Sequence, residues 1–351
     1  GFKDYREFKH ISKGRFDYQP DDCFKFHEAV ETLVMPLYNQ LLAERREQMQ
    51  VDTLRPWDTG VDPMGRAPLK PFTEVDDMVA RTKNIFDHVD DELAGGFQTM
   101  RDHKLLDLAN RKGKAPGGYQ SSLPEARLPF IFMNAVGMQR DVETLLHEAG
   151  HAFHTLAAQH EDIHHYQHAP LEFCEVASMS MELIGNEHLE EFYSEEEATR
   201  ARREHLEGII TIFPWIATVD AFQHWIYTHP NHTREERDAQ WMELRARFGG
   251  DIDWAGHEQS HTKLWHRQLH IFLIPFYYIE YGIAQLGALW VWKNSKDNRA
   301  KALADYKNAL ALGGSRPLPE LFQAAGAPFS FDIEAFKPLI ELVQTELAAL
   351  K

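Results

Sequence analysis

Near the middle of the chain, His147-Glu148-Ala149-Gly150-His151 sets two imidazoles four residues apart with a carboxylate beside the first. The apolar spacing from Glu143 to His160 predicts one amphipathic helix, so both rings project from one face toward a common point. Zinc takes neutral nitrogen and anionic oxygen ligands in a tetrahedral array, and this pair supplies half of one. Glu148 is displaced around the helix, where its carboxylate meets a water at the ion rather than the ion itself. That is the arrangement of metal-assisted hydrolysis. Ala149, Gly150 and Ala152 are small and would let a second helix approach closely.

A catalytic zinc commonly has three protein ligands and one open position. The next acidic helix, from Leu171 to Glu182, places Glu172, Glu175 and Glu182 on one face among apolar or small residues. Carboxylates in such surroundings need a cation, and few basic residues lie nearby. On these grounds any of the three glutamates can be the third ligand. A third histidine at metzincin spacing is excluded, because His154 stands where that pattern needs Gly and Ala157 where it needs His.

The elements that must position these groups are mostly helical. Helical periodicity runs from Phe24 to Gln50 and from Val75 to Leu108, the second interrupted only at Gly95-Gly96. Between them Pro56, Pro63, Pro68 and Pro71 mark an ordered crossing loop whose Trp57 and Leu69 are expected to pack inward. Further helices are expected at about 140–160, 171–190, 196–228, 233–247, 262–292, 297–311 and 333–350. Arg127 to Asn134 is the best strand candidate. The fold class is therefore mostly α, with a small β element beside the metal-binding helix. One helical catalytic unit over 1–351 is expected, with lobes 1–115 and 116–351 as the alternative division.

A formal net charge of −17 with scattered Lys and Arg excludes nucleic acid and acidic membranes as natural partners. No run approaches the roughly 20 apolar residues that span a bilayer. Two cysteines, Cys23 and Cys174, are too few for a disulfide framework, and the expected compartment is the cytoplasm. The chain opens at Gly1 without an initiator Met, so a processed form or part of a longer protein is expected.

His147 to His154 resembles the active-site helix of the thimet oligopeptidase and oligoendopeptidase F family of zinc peptidases, and Glu175-Val176-Ala177-Ser178 resembles its third-ligand segment, 24 residues beyond His151. The resemblance singles out Glu175 as the ligand and leaves Glu172 as an acceptor for a ligand histidine. His270 through Gly282 resembles the family's His and Tyr cluster, which implies that His270 with Tyr281 or Tyr278 stabilises the tetrahedral oxyanion. Tyr277, about 100° away on a helix, ranks below them. The strand ending at Asn134, with the turn at Gly117-Gly118, resembles the family's substrate-pairing segment. The resemblance runs to about Phe331 and implies a helical N-terminal region not found in this chain, either a missing region or a partner chain.

The resulting expectation is a zinc-dependent endopeptidase of the oligoendopeptidase type. It would hold one Zn²⁺ on His147, His151 and Glu175, use Glu148 as general base, and act on short peptides. Two alternatives stay open, a zinc exopeptidase and a non-catalytic helical binding protein with a structural metal. His160, His164, His165 and His168 read as a solvated loop, and Cys174 reads as a small buried hydrophobe.

Overall fold

The computed structural model describes residues 1–350. Its backbone divides into two compact units, one of Gly1–Ala67, Leu206–Ile283 and Ser330–Ala349, the other built mainly of Pro68–His205 and Ala284–Phe329.

The second unit holds the metal motif. Its three-stranded sheet has the order β1 (Leu106–Ala109), β3 (Leu128–Ala135), β2 (Tyr119–Leu123), with β1 parallel and β2 antiparallel to β3. Strict alternation buries Ile131, Met133 and Ala135 on one face of β3. The expected strand is therefore present, but it is central. The outer edges of the sheet belong to β1 and β2, and the segment ending at Asn134 is paired with β2 only as far as Phe132 and with β1 at Ile131, Phe132 and Ala135.

A turn at Gly137, where φ is +88°, leads from β3 into the helix Gln139–Ala158. Asp141 fixes its start by accepting backbone N–H bonds from Val136 and Met138 at 2.8 and 2.9 Å. This helix packs on Leu171–Gly185 with almost no gap. A Cβ built on Gly150 would lie 2.6 Å from Ser178 Cα and 2.7 Å from the Ala177 carbonyl oxygen, so only glycine fits the crossing. Ala149 and Ala152 are fully buried beside it.

Several expected helices differ in detail. The run from Val75 breaks at Asp90, which caps Asp91–Asp102 through Glu92 and Leu93, while Gly95 and Gly96 lie inside that helix. Residues beyond it form β1 rather than more helix. The expected helix 262–292 is four pieces, Glu258–Thr262, Leu264–Arg267, His270–Leu273 and Ile279–Asp297. Pro275 and a left-handed Phe276, with φ of +64°, break it. Leu69 is buried as expected. Trp57 is 57% exposed and lies against Arg55 and His257 instead of the core.

Candidate metal centre

His147 Nε2 lies 3.3 Å and His151 Nε2 3.6 Å from Glu175 Oε2, and the three ligand atoms lie within 4.8 Å of one another. A tetrahedron with arms of about 2.0–2.1 Å has edges of about 3.3 Å, so the donor set fits a zinc-sized ion. The histidine side chains are 25% and 17% exposed, which leaves one side of the set open.

The rings are held from behind. His147 Nδ1 donates to Glu182 Oε1 at 2.6 Å, and Glu182 Oε2 receives His205 Nε2 at 3.0 Å. A carboxylate can only accept, so this bond keeps a proton on Nδ1 and turns Nε2 toward Glu175, where loss of the Nε2 proton leaves a lone pair for an ion. Burial opposes ionisation of Glu182, but bonds from His147 and His205 outweigh it and hold the carboxyl down at about 2. Burial likewise opposes protonation of His147, yet Glu175 and Glu182 on its two nitrogens push its pKa well above the usual value. Burial pulls His151 down to about 4. Ser178 Oγ donates to Glu175 Oε2 at 3.1 Å, a further restraint on the third ligand.

Glu148 is buried between the metal helix and β2. Desolvation lifts its carboxyl to about 7, the His147 imidazolium lowers it, Glu175 raises it again, and the Gln120 backbone amide favours the ionised form. A carboxylate so poised can take a proton near neutral pH.

Residues 1–332 match the family model for Peptidase family M3. The chain belongs to that family. M3 members are metallopeptidases, and two curated relatives are similar over part of their length. They are an oligoendopeptidase F homolog of Borreliella burgdorferi, 25% identical over 62% of this chain and 38% of its own, and oligopeptidase PepF of Bacillus subtilis, 24% identical over 62% and 33%. The solved structure of Pz peptidase A with an inhibitor superposes with a TM-score of 0.91 at 33% identity, over 99% of this chain and 62% of that one. This M3 chain thus spans under half the length of those curated relatives and under two thirds of the solved one.

Within the M3 chain, the sequence motifs bring His147, His151, Glu148 and Glu175 together as expected. The carboxylate that orients His147 is Glu182, seven residues beyond Glu175 on the same helix face; Glu172, expected as that acceptor, is buried on the glutamate helix one turn before Glu175. Both Glu182 and His205 escaped the sequence reading as orienting groups, although the seven-residue spacing was a usable signal for the first. Asn134 uses its side-chain nitrogen to hold the Ala115 and Gly117 carbonyls at 2.8 and 3.0 Å, which shapes the turn at Gly118.

His270, Tyr277, Tyr278 and Tyr281 belong to the other unit, where they form one aromatic cluster. The His270 ring lies 5.7, 5.0 and 6.1 Å from the three tyrosine rings in that order. Tyr277 and Tyr278 precede the helix that starts at Ile279, so helical phase does not separate Tyr277 from the others, contrary to expectation. Gln268 Nε2 donates to His270 Nδ1 at 2.6 Å, while Gln268 Oε1 accepts from Trp215 at 2.9 Å. An accepting Nδ1 puts the ring proton on Nε2, and burial lowers the pKa, so His270 is a neutral N–H donor.

Proposed function

We propose that this chain is the catalytic portion of a zinc-dependent endopeptidase that hydrolyses short peptides. The observation that carries the reading is the convergence of His147, His151 and Glu175 on one point with the buried carboxylate of Glu148 beside it. A purely structural site has no use for that carboxylate.

The residues would divide the work as follows. His147, His151 and Glu175 hold one Zn²⁺, and Glu182 keeps His147 in the binding tautomer. When bound, the ion supplies Lewis acidity, which polarises a carbonyl and lowers the pKa of water. Glu148 accepts a proton from the attacking water at its carboxylate and passes it to the leaving amine nitrogen. His270 and Tyr281, with Tyr278 and Tyr277 beside them, are assigned to the developing oxyanion on the strength of the family resemblance and the N–H that Gln268 prepares. The exposed edge strand β2 with Gly118 is the surface we assign to the peptide backbone, since pairing there needs no particular side chain. Glu172 is assigned a supporting place behind the ligands. Two unpaired cysteines suit the cytoplasm. Among the described residues no helix is long and apolar enough to cross a membrane.

Metal analysis followed by digestion of a mixed peptide library, with and without a chelator, tests this reading. Internal cleavages that vanish on chelation and return with Zn²⁺ are expected. Release of single terminal residues would mean an exopeptidase, and metal binding without cleavage would overturn the catalytic reading.

A further inference from the structure

The helix Pro20–Ala29 carries Cys23 and His27 four residues apart, and the helix Glu195–Thr228 carries Asp220 and His224 at the same interval. The four side chains meet inside the first unit. Cys23 is 1%, His27 4%, Asp220 0% and His224 3% exposed. One ligand atom each of Cys23, Asp220 and His224 lies within 4.8 Å of the other two.

The polar atoms of this cluster are incompletely paired. His27 Nε2 lies 2.9 Å from Asp220 Oδ2 in a hydrogen bond. His224 Nε2 lies 3.2 Å from the same oxygen but is not directed along a hydrogen bond, and both it and Asp220 Oδ1 have no hydrogen-bond partner. Arg6 Nη1 stands 3.5 Å from His224 Nδ1, too far to fix the ring's tautomer. Among the described residues no Lys or Arg is paired with Asp220; the nearby buried cation Arg15 is bound to Glu280. A carboxylate removed this completely from water needs a cation or a full set of donors. Close approach of an imidazole nitrogen and a carboxylate oxygen without a directed bond is how ligand atoms stand around an ion, and the centre at Glu175 has comparable spacings.

We propose that Cys23, Asp220 and His224 form a second metal site, structural rather than catalytic, with His27 orienting Asp220. One divalent ion, one carboxylate, one thiolate and a neutral imidazole sum to zero charge, which suits a buried position. The thiolate selects a thiophilic ion such as Zn²⁺ over Mg²⁺ or Ca²⁺. Binding releases the Cys23 thiol proton to solvent and ties the two helices together.

The test is to strip the protein with a chelator, reload it with Co²⁺, remove loose metal, and record metal content and the near-ultraviolet thiolate-to-cobalt charge-transfer band. Two equivalents and the band are expected. Because the centre at Glu175 has no sulfur ligand, His147→Ala should drop the content to one equivalent and keep the band. Cys23→Ser should lose one equivalent and the band, and Cys174→Ser should lose neither. Zn²⁺ should raise the Tm of the His147→Ala protein but not of the His147→Ala, Cys23→Ser double variant. One equivalent without the band, or two without it, would overturn the proposal whether or not the variants fold. Failure of the catalytic centre would remove the other equivalent and leave the band intact.

Discussion

The two histidine-containing clusters use related donors in opposite surroundings. At the Glu175 centre the imidazoles are partly exposed, a second carboxylate stands beside the ligands, and His147 and Glu175 each have an orienting partner. At the Cys23 cluster every side chain is buried, a thiol replaces one histidine, and the one further titratable group against the ligands, His27, is tied to Asp220. Chemistry needs an open position and a proton acceptor, while cross-linking needs closure. Access and the neighbouring carboxylate, more than the ligand types, therefore assign the roles.

The comparison can be broken most severely at the ligands. His147→Ala should erase metal binding at the open centre and reduce peptide cleavage to background, while Cys23→Ser should leave kcat/KM unchanged; equal loss in both variants would merge the two roles. Removing the His270 donor, by His270→Ala, should lower kcat by about 10²–10³ with the metal content unchanged, the range for one oxyanion donor. Glu182→Gln keeps the shape but weakens the orienting bond, and metal affinity at the open centre should fall about 10–100-fold in a competition titration. The pH dependence sharpens the same contrast. Protonated Glu148 cannot accept a proton, so kcat/KM should fall as pH drops through a midpoint no higher than about 7, where burial places it. The smallest effect is expected from Gly150→Ala, whose new methyl meets Ser178 Cα and should cost about 1–3 kcal/mol in denaturant unfolding.

What was legible in the sequence was local. Ligands four apart on a helix, and small residues where two helices cross, are set by helical geometry, so His147, His151 and Gly150 could be read without a fold. Glu175 could be separated from Glu172 and Glu182 only through family resemblance, since all three share a face. The orienting bond from His147 to Glu182 is a tertiary choice between carboxylates, which periodicity does not rank. Strands β1 and β2 are short and partly polar, so their pattern was too weak to see, and that hid the central position of β3. The continuous helix expected across Pro275 failed because bonds from distant residues hold the turn: Phe276 N–H donates to Gln223 at 2.7 Å, and Arg15 donates to the Phe276 carbonyl. Cys23 and Asp220 lie in segments far apart in the chain, and only folding places them together.

Glu148→Gln tests the central claim most directly, because it changes the proton acceptor and leaves all three ligands in place. Metal content equal to that of the unmodified protein, together with a fall in peptide cleavage of about 10²–10⁴-fold, is predicted from the contribution of general acid–base catalysis. Unimpaired cleavage with the metal still bound would contradict the account.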